Sequence, residues 1–451
     1  MYQKILIANR GEIAVRIIRA CREMGIATVA VCSTADREAL HARLADECIC
    51  IGPSKAKESY LNMEQILSAA VTTGAQAIHP GFGFLSENTK FARMCEQCGI
   101  DFIGPSTESI EKMGDKVQAR KTMMDAEVPV VPGTRDALSD VKEGKKCADT
   151  IEYPVIIKAS AGGGGKGMRV AMCQEEFEEL FLLAQRETQQ SFGDDKMYIE
   201  KYLEHARHIE FQILADKYGN TIHLGERDCT IQRRHQKLVE ETPAPLLSRE
   251  LREKMGAAAV KAAKAAGYYS AGTVEFLMDK EENFYFMEMN TRIQVEHPVT
   301  EMVTGVDLIK QMILISAGET LKYQQKDISM NGCAMDCRIT AEDVSKGFMP
   351  CAGQVKNLHF PGGNGVRVDS SLYNGCQVSP FYDSMLAKVI VHGDDRQEAI
   401  AKMKSALGEF VIEGITTNLE FQYHLIDDQR FEEGDAETIN RELEERCQKA
   451  C

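Results

Sequence analysis

The sequence predicts an α/β fold that passes into an α+β body, and three observations predict it. Strand and helix patterns alternate through the first 113 residues. A glycine run, "AGGGGKG", then follows a short apolar strand containing Lys158. Beyond Glu204 strands dominate, and they carry most of the clustered carboxylates.

In chain order, "KILIANR" is a short apolar run and "GEIAVRIIRACREMG" has helical spacing that ends at Gly25. "IATVAVCS" is the next strand. "AQAIHPGFGFLSEN" repeats the strand-to-loop pattern, followed by a helix around Phe91–Cys98 and a strand at "IDFIG". Such alternation predicts a parallel sheet with helices on both faces. The first turn, "ANRGEIA", lacks the three glycines of a dinucleotide fingerprint, so no nicotinamide or flavin site is expected.

A second unit opens near "GDKVQARKTMMDAEVPVVPG", where Pro129, Pro132 and Gly133 turn the chain into a smaller region with the strand "YPVIIKAS". The later strands are "HIEFQILAD", "TIHLGERDCTIQRRHQKLVEETPA", "AGTVEFLMD" and "NFYFMEMNTRIQVEHP". An alanine-rich helix, "RELREKMGAAAVKAAKAAG", interrupts them. From Ser329 more strands and turns follow, then a charged helical tail. The expected divisions are 1–113, 114–203 (with a smaller region from about 131), 204–328 and 329–451. There is no internal repeat and no low-complexity linker.

Hydrophobic content of 44% with 27% charged residues describes a soluble protein with a substantial core. No run is long enough to span a membrane, and the N-terminus opens directly as a strand, so the cytoplasm is the expected location. The 15 cysteines are scattered, which fits a reducing compartment; "CEQCG" at 95–99 has no second pair and reads as a helix end. A net charge of −15 argues against a nucleic-acid partner. An anionic nucleotide would need a local basic pocket.

The glycine run supplies backbone N–H groups close to an anion, with Lys158 before it and Lys166 inside it. It is not a Walker A loop, because Met168 stands where Ser or Thr is required. The strand–loop–strand context predicts a lid over a triphosphate. Lys116 is a third cation, though alone it reads as a surface lysine; His208 alone reads as a satisfied core histidine. Glu200 to Leu203 read as a strand end and crossover. "RDCTIQRRHQK" gathers Arg227, Gln232, Arg233, Arg234, His235 and Lys237, the expected basic pocket. A hairpin closing at "DKEEN" brings Glu275 near Glu288.

"FMEMNTRIQVEHP" alternates with period two, which predicts one strand over 286–296 stopped by His297-Pro298. Its polar face carries Glu288, Asn290, Arg292, Gln294 and Glu296. A wet edge strand is the plain alternative, but such faces usually hold Thr, Lys and Ser. Glu288 and Asn290, with Glu275, suit a magnesium ion shared with phosphates. Arg292 suits a planar oxyanion, and a neighbouring carboxylate suits a base.

These residues resemble the biotin carboxylase subunit or domain of biotin-dependent carboxylases, over essentially the whole chain. "KILIANRGEIA", "HPGFGFLSEN", "GGGGKGM", "RDCTIQRRHQK", "EMNTRIQVEHPVTE" and "YDSMLAKVI" carry the resemblance. It implies an ATP-grasp fold with an N-terminal Rossmann-like domain, a mobile lid domain bearing the glycine loop, and a mixed C-terminal domain. It implies that ATP phosphorylates bicarbonate to carboxyphosphate, whose breakdown supplies carbon dioxide to the biotin ureido nitrogen.

By the same resemblance Lys116, Lys158, His208, Gln232, His235 and the loop of Gly162, Gly163, Gly164, Gly165, Lys166 and Gly167 would bind ATP. Glu200, Lys201 and Leu203 would lie at the adenine. Glu275, Glu288 and Asn290 would hold Mg²⁺ or Mn²⁺. Lys237, Arg292, Gln294 and the Val295 backbone would bind bicarbonate, with Glu296 as base and Arg338 stabilising the enolate-like biotin. Phe82 stands where the family commonly has tyrosine, which removes a hydroxyl beside the biotin pocket.

No lysine between two methionines marks a biotin acceptor, since "KMKSAL" looks helical, and no carboxyltransferase region follows. A separate biotin carboxyl carrier protein, carboxyltransferase subunits and a homodimer are the implied partners, and acetyl-CoA carboxylase the implied setting. Another acyl-CoA or pyruvate carboxylase, another ATP-grasp ligase, or a non-catalytic nucleotide-binding subunit are the alternatives. The last is disfavoured because Lys237, Glu288, Glu296 and Arg338 are all present.

Overall fold

Short β-branched segments separated by one helix each cannot pair by tight turns, so they cross over and align in parallel. In the computed structural model, β1 (Lys4–Ile7), β2 (Ala27–Ser33), β3 (Glu47–Gly52), β4 (Ala77–His79) and β5 (Asp101–Phe102) form one parallel sheet. Its order is β3-β2-β1-β4-β5, and α1 (Gly11–Glu23) is its first crossover. The structure describes residues 1–159, 167–193, 195–204, 206–234 and 236–449. The turns after β1 and β4 meet at the carboxyl ends of the strands. There the Asn9 amide donates to the carbonyls of Pro80 and Phe82, both at 2.7 Å. Gly81 (φ +63°) is required at this contact, since a Cβ would lie 2.9 Å from Asn9 Nδ2.

The smaller region folds on itself. α2 (Val141–Ile151) and α3 (Gln174–Phe192) cover a three-stranded antiparallel sheet of β6 (Val155–Ala159), β7 (Arg169–Ala171) and β8 (Met197–Lys201), with β6 in the middle. Phe177, Phe181, Val155, Ile157 and Ile199 form a core belonging to this unit alone.

The body is one eight-stranded antiparallel sheet. It comprises β9 (Arg207–Ala215), β10 (Thr221–Asp228), β13 (Val239–Thr242), β14 (Ser270–Met278), β15 (Phe284–Asn290), β16 (Cys333–Thr340), β17 (Val366–Ser370) and β18 (Met385–Gly393). The hairpin of β11 (Gln232–Arg233) and β12 (Gln236–Lys237) projects from it. The order is β15-β14-β9-β10-β13-β16-β18-β17, so hydrogen bonding runs unbroken across residue 328. The alanine-rich segment forms a helix, α4 (Arg249–Ala265), and its small Ala259, Ala262 and Ala263 lie fully buried in a core shared with Phe211 and Phe276.

The segment 286–296 departs from the single strand that its alternation predicts. The strand stops at Asn290, residues 291–296 bend and turn, and α5 (His297–Thr304) begins where the strand was expected to end. Pro298 sits in the first turn of α5, where its missing N–H has no helical partner to lose. The alternation also breaks inside the strand. Glu275 pairs with Glu288 but Phe276 pairs with Phe286, so Met287 is the extra residue of a bulge. Met287 is accordingly exposed and not in the core, while Phe286 and Met289 are buried. Among the described residues no helix is long and apolar enough to cross a membrane. The described cysteines are free thiols.

Candidate active site

The parallel domain, the lid and the body enclose a cavity of about 840 Å³. Its wall takes Asn9, Arg10 and Phe82 from the first domain, Lys158, Met168 and Tyr198 from the lid, and Arg338 and Tyr382 from the last portion. The floor is the end of the body sheet: His208, Gln232, Lys237, Glu275, Glu288, Asn290, Arg292, Gln294, Val295 and Glu296. Lys116 lies at the junction with a smaller cavity of about 270 Å³ that extends towards Glu200 and Arg120.

Lys237 is the hub. Its Nζ lies 2.5 Å from Glu210, 2.7 Å from Glu296 and 3.2 Å from Glu275. These carboxylates come from β9, β14 and the turn before α5, so three distant segments converge on one ammonium. A group so placed stays protonated: burial opposes the charge, but the surrounding anions outweigh it and raise the Lys237 pKa well above its ordinary value.

Glu296 is fully buried, and Arg338 Nη2 lies 2.9 Å from its other oxygen. Burial pushes its pKa up, yet Lys237, Arg338 and Arg227 more than compensate and hold it well below the ordinary carboxylate range. The carboxylate is therefore ionised and able to take a proton. An anion entering beside Lys237 would draw off part of that stabilisation and make Glu296 more basic when substrate is bound. Arg338 Nε also donates to Glu240 at 2.7 Å.

Glu275 and Glu288 face each other across β14 and β15. Directly opposed carboxylates repel, and burial together with the Glu275 charge raises the Glu288 pKa. Glu275 itself is held down; burial opposes this, but Lys237 and His208 dominate. Two carboxylates and the Asn290 amide offer hard oxygen ligands that fit a divalent cation. Asn290 Nδ2 donates to Glu275 at 2.7 Å and its Oδ1 accepts from Arg292 at 3.0 Å. His208 Nε2 lies 2.7 Å from Glu275; burial would lower the His208 pKa, but the carboxylate overrides it and raises the value. Gln232 reaches His208 Nδ1 at 2.8 Å.

Arg292 is framed by Glu87 (2.9 Å), Gln294 Oε1 (2.9 Å) and Asn290. Lys158 is paired with Glu200 at 2.5 Å, and Arg120 holds the other oxygen of Glu200 at 2.9 Å. The Lys201 side chain turns away, donating to the carbonyls of Glu152 and Tyr153, and Leu203 follows the end of β8 half-buried. Gly162 to Gly165, Lys166 and His235 lie outside the described residues.

The basic pocket expected from "RDCTIQRRHQK" is smaller than its composition implies. Arg227 is wholly buried and bonded to Glu210, Gln212, Thr273 and Thr300; Arg233 is buried against Glu342 and the Phe348 ring. Both are spent on the fold, because a buried guanidinium must have its donors satisfied. Among the described residues of that set, Gln232 and Lys237 line the cavity.

Several polar groups of the site went unassigned in the sequence. Glu87, in the quoted "GFGFLSEN", secures Arg292 and also accepts from the Thr291 N–H at 3.0 Å. Arg10 lies over the Tyr382 ring at 4.1 Å and pairs with Asp36 at 2.6 Å. Glu210 and Glu240 stand on buried strands, where their only signal was a charge inside an otherwise apolar pattern.

The chain matches three family models in succession. They are the biotin carboxylase N-terminal domain over residues 1–110, the carbamoyl-phosphate synthase L chain ATP-binding domain over 115–324, and the biotin carboxylase C-terminal domain over 336–440. Biotin carboxylase 1 of Bacillus subtilis is 58% identical over 97% of this chain and 98% of its own. The biotin carboxylase domain dimer of Hydrogenobacter thermophilus 2-oxoglutarate carboxylase was solved with MgADP, ADP and bicarbonate. It is 51% identical and superposes with a TM-score of 0.91 over 96% of each chain. Campylobacter jejuni biotin carboxylase in a β,γ-ATP complex is 49% identical, with a TM-score of 0.92 over 96% of each chain.

Proposed function

The chain belongs to the biotin carboxylase family, and from that premise we propose how its residues divide the work. The activity is ATP-dependent carboxylation of biotin from bicarbonate, with Mg²⁺, giving carboxybiotin, ADP and phosphate. The observation that carries the assignment of roles is the Glu296 carboxylate, buried between Lys237 and Arg338 a few residues from the Glu275–Glu288 pair.

Bicarbonate is a poor nucleophile, and activation requires a base and fixed positive charge together. Lys237, Arg292, Gln294 and the Val295 backbone hold bicarbonate, and Glu296 takes its proton. The freed oxygen attacks the γ-phosphorus of ATP as ADP departs. Lys116, Lys158, His208 and Gln232, with the glycine loop, His235 and Gly167, grip the nucleotide; Glu200, Lys201 and Leu203 lie at its base. Glu275, Glu288 and Asn290 would hold Mg²⁺ or Mn²⁺, which when bound neutralises phosphate charge and aligns the oxygens. Carboxyphosphate is short-lived in water, so enclosure by the lid protects it until it breaks down to carbon dioxide and phosphate. The phosphate released takes the ureido proton as the nitrogen attacks carbon dioxide, Arg338 stabilises the deprotonated ureido group, and Phe82 lies on the biotin side of the cavity without a hydroxyl to offer it.

Biotin is presented by a separate carrier protein and handed to carboxyltransferase subunits, the enzyme acts as a homodimer in the cytoplasm, and the reaction is the first half of that of an acetyl-CoA carboxylase. The dimeric domain from H. thermophilus supports the homodimer, while its parent enzyme uses a different final acceptor by name. ADP release from Mg-ATP and bicarbonate, with and without free biotin, tests the reading beside Glu296→Ala. Biotin should raise the rate strongly, and the variant should lose about 10² to 10⁴ of it. Turnover indifferent to biotin would overturn it.

A further inference from the structure

We propose that Lys388 is a positioning residue for the carboxylation, fixing the peptide plane between Val295 and Glu296 and through it the base. It rests on the reading of Glu296 as that base. Lys388 is fully buried on β18, and its Nζ donates to the Val295 carbonyl at 2.7 Å. Glu12 Oε1 lies 3.1 Å from the same Nζ and Asp369 Oδ2 at 4.0 Å.

The register shows why the lysine is there. On β16, β18 and β17, Arg338, Lys388 and Asp369 are successive cross-strand partners, so their side chains share one face of the sheet. Arg338 reaches the Glu296 carboxylate and Lys388 reaches the carbonyl one residue earlier. Two neighbouring cations thus hold one turn at two points. A third restraint comes from His297, whose Nδ1 lies 2.8 Å from the Gln294 carbonyl.

In a planar trans peptide the C=O and the next N–H point in opposite directions. With the Val295 carbonyl held by Lys388, the Glu296 N–H must face the other way, so the lysine fixes the orientation of a peptide whose two residues both line the cavity. Burying a lysine is costly unless each charge is paired. Glu12, in the first turn of α1, and Asp369, gripped by Arg367 at 2.7 Å and 2.9 Å, provide that pairing. The alternative is a lysine that serves only as their counterion.

Three variants separate the two roles: Lys388→Met, Lys388→Arg, and Glu12→Gln combined with Lys388→Met, which removes the stranded carboxylate should the single change not fold. The readouts are bicarbonate KM and kcat for ADP release, ADP affinity, and amide hydrogen exchange of a peptide spanning residues 294–297. A misplacement near 1 Å costs about 10²-fold in rate. Lys388→Met should therefore lose activity on that scale and exchange faster at 294–297, with ADP affinity unchanged and partial recovery in Lys388→Arg. Folded variants with wild-type bicarbonate kinetics and exchange would overturn the proposal. So would failure of both methionine variants to fold, which would make the lysine a requirement of the fold alone. Wild-type turnover indifferent to biotin would sink the functional reading while the exchange result still judged the positioning.

Discussion

Glu240, the second carboxylate partner of Arg338, ionises near neutrality. Burial raises its pKa to about 7, against the pull of Arg338 and with the push of Glu296. Its folded value lies above the ordinary 4.5, so the folded state binds the proton more tightly than the unfolded chain. The stabilisation is complete below about 4.5 and is lost as pH rises through 7. Glu240→Gln cannot titrate, so the melting temperature of wild type minus that of the variant should fall between pH 4.5 and 7 and then level off. In the same window wild-type Arg338 gains a second anionic partner in competition with Glu296, so the rate–pH profile should lose a step near 7 in the variant. Parallel melting curves across this range would contradict the assignment. Glu296 works in the opposite sense. Its depressed pKa keeps it ionised through neutrality, and its contribution to stability is lost only as pH falls below the ordinary carboxylate range.

At the scale of elements, what the sequence made legible was local. The parallel N-terminal sheet followed from alternation, the β14–β15 hairpin from a short loop between two strand patterns, and the opposed Glu275 and Glu288 from that hairpin. The segment 291–296 was misread because side-chain alternation persists through a bend as easily as through a strand. The strand ends at Asn290, with residues 291–296 between it and α5, and the only local signal in "EHPVTE" is Pro298 in the first turn of that helix, which marks the helix start and not the strand end. The bulge at Met287 was invisible for a related reason: it is defined by the partner strand. Gly167 shows the local rule at its strictest. It begins the approach to β7 with φ +72°, and a Cβ would stand 2.4 Å from Thr188 Oγ1 and 3.1 Å from Ala159 Cβ. The Thr188 hydroxyl cannot swing away freely, as it donates to the Ala184 carbonyl at 2.8 Å. Gly167→Ala should cost the lid about 1–3 kcal/mol and raise the KM for ATP while leaving bicarbonate KM alone. Thermal unfolding followed in parallel with ATP kinetics checks this, and an unchanged KM would remove Gly167 from the nucleotide site.

On the scale of the whole molecule, the site exists only where four parts of the chain meet, which is why composition could not outline it. Arg292 is held by a residue 205 positions away, and Lys388 reaches back 93. The arginines that looked like a phosphate pocket were mostly drawn into buried pairs. The lid contributes Lys158 and Tyr198 to the cavity yet keeps a hydrophobic core of its own, so it can move as a body against the sheet. Opposite it, Glu275 and Glu288 concentrate negative charge where the polyphosphate of ATP must come. Without a divalent cation that approach is repulsive, because the cations at hand are already shared, Lys158 with Glu200 and Lys237 among Glu210, Glu275 and Glu296. Removing the metal with a chelator should therefore weaken ATP binding at least about tenfold, or ~1.4 kcal/mol. Glu288→Gln should reduce that dependence, because one of the two repelling carboxylates is gone. With Mg-nucleotide present, amide exchange should slow at residues 155–159 and 197–201 as the lid closes, and scattering should report a more compact particle. If ATP binds equally tightly with and without metal, the carboxylate pair is not the metal site. If it binds tightly with metal but the lid strands exchange as before, the lid already stands closed over the cavity and the nucleotide enters by another route.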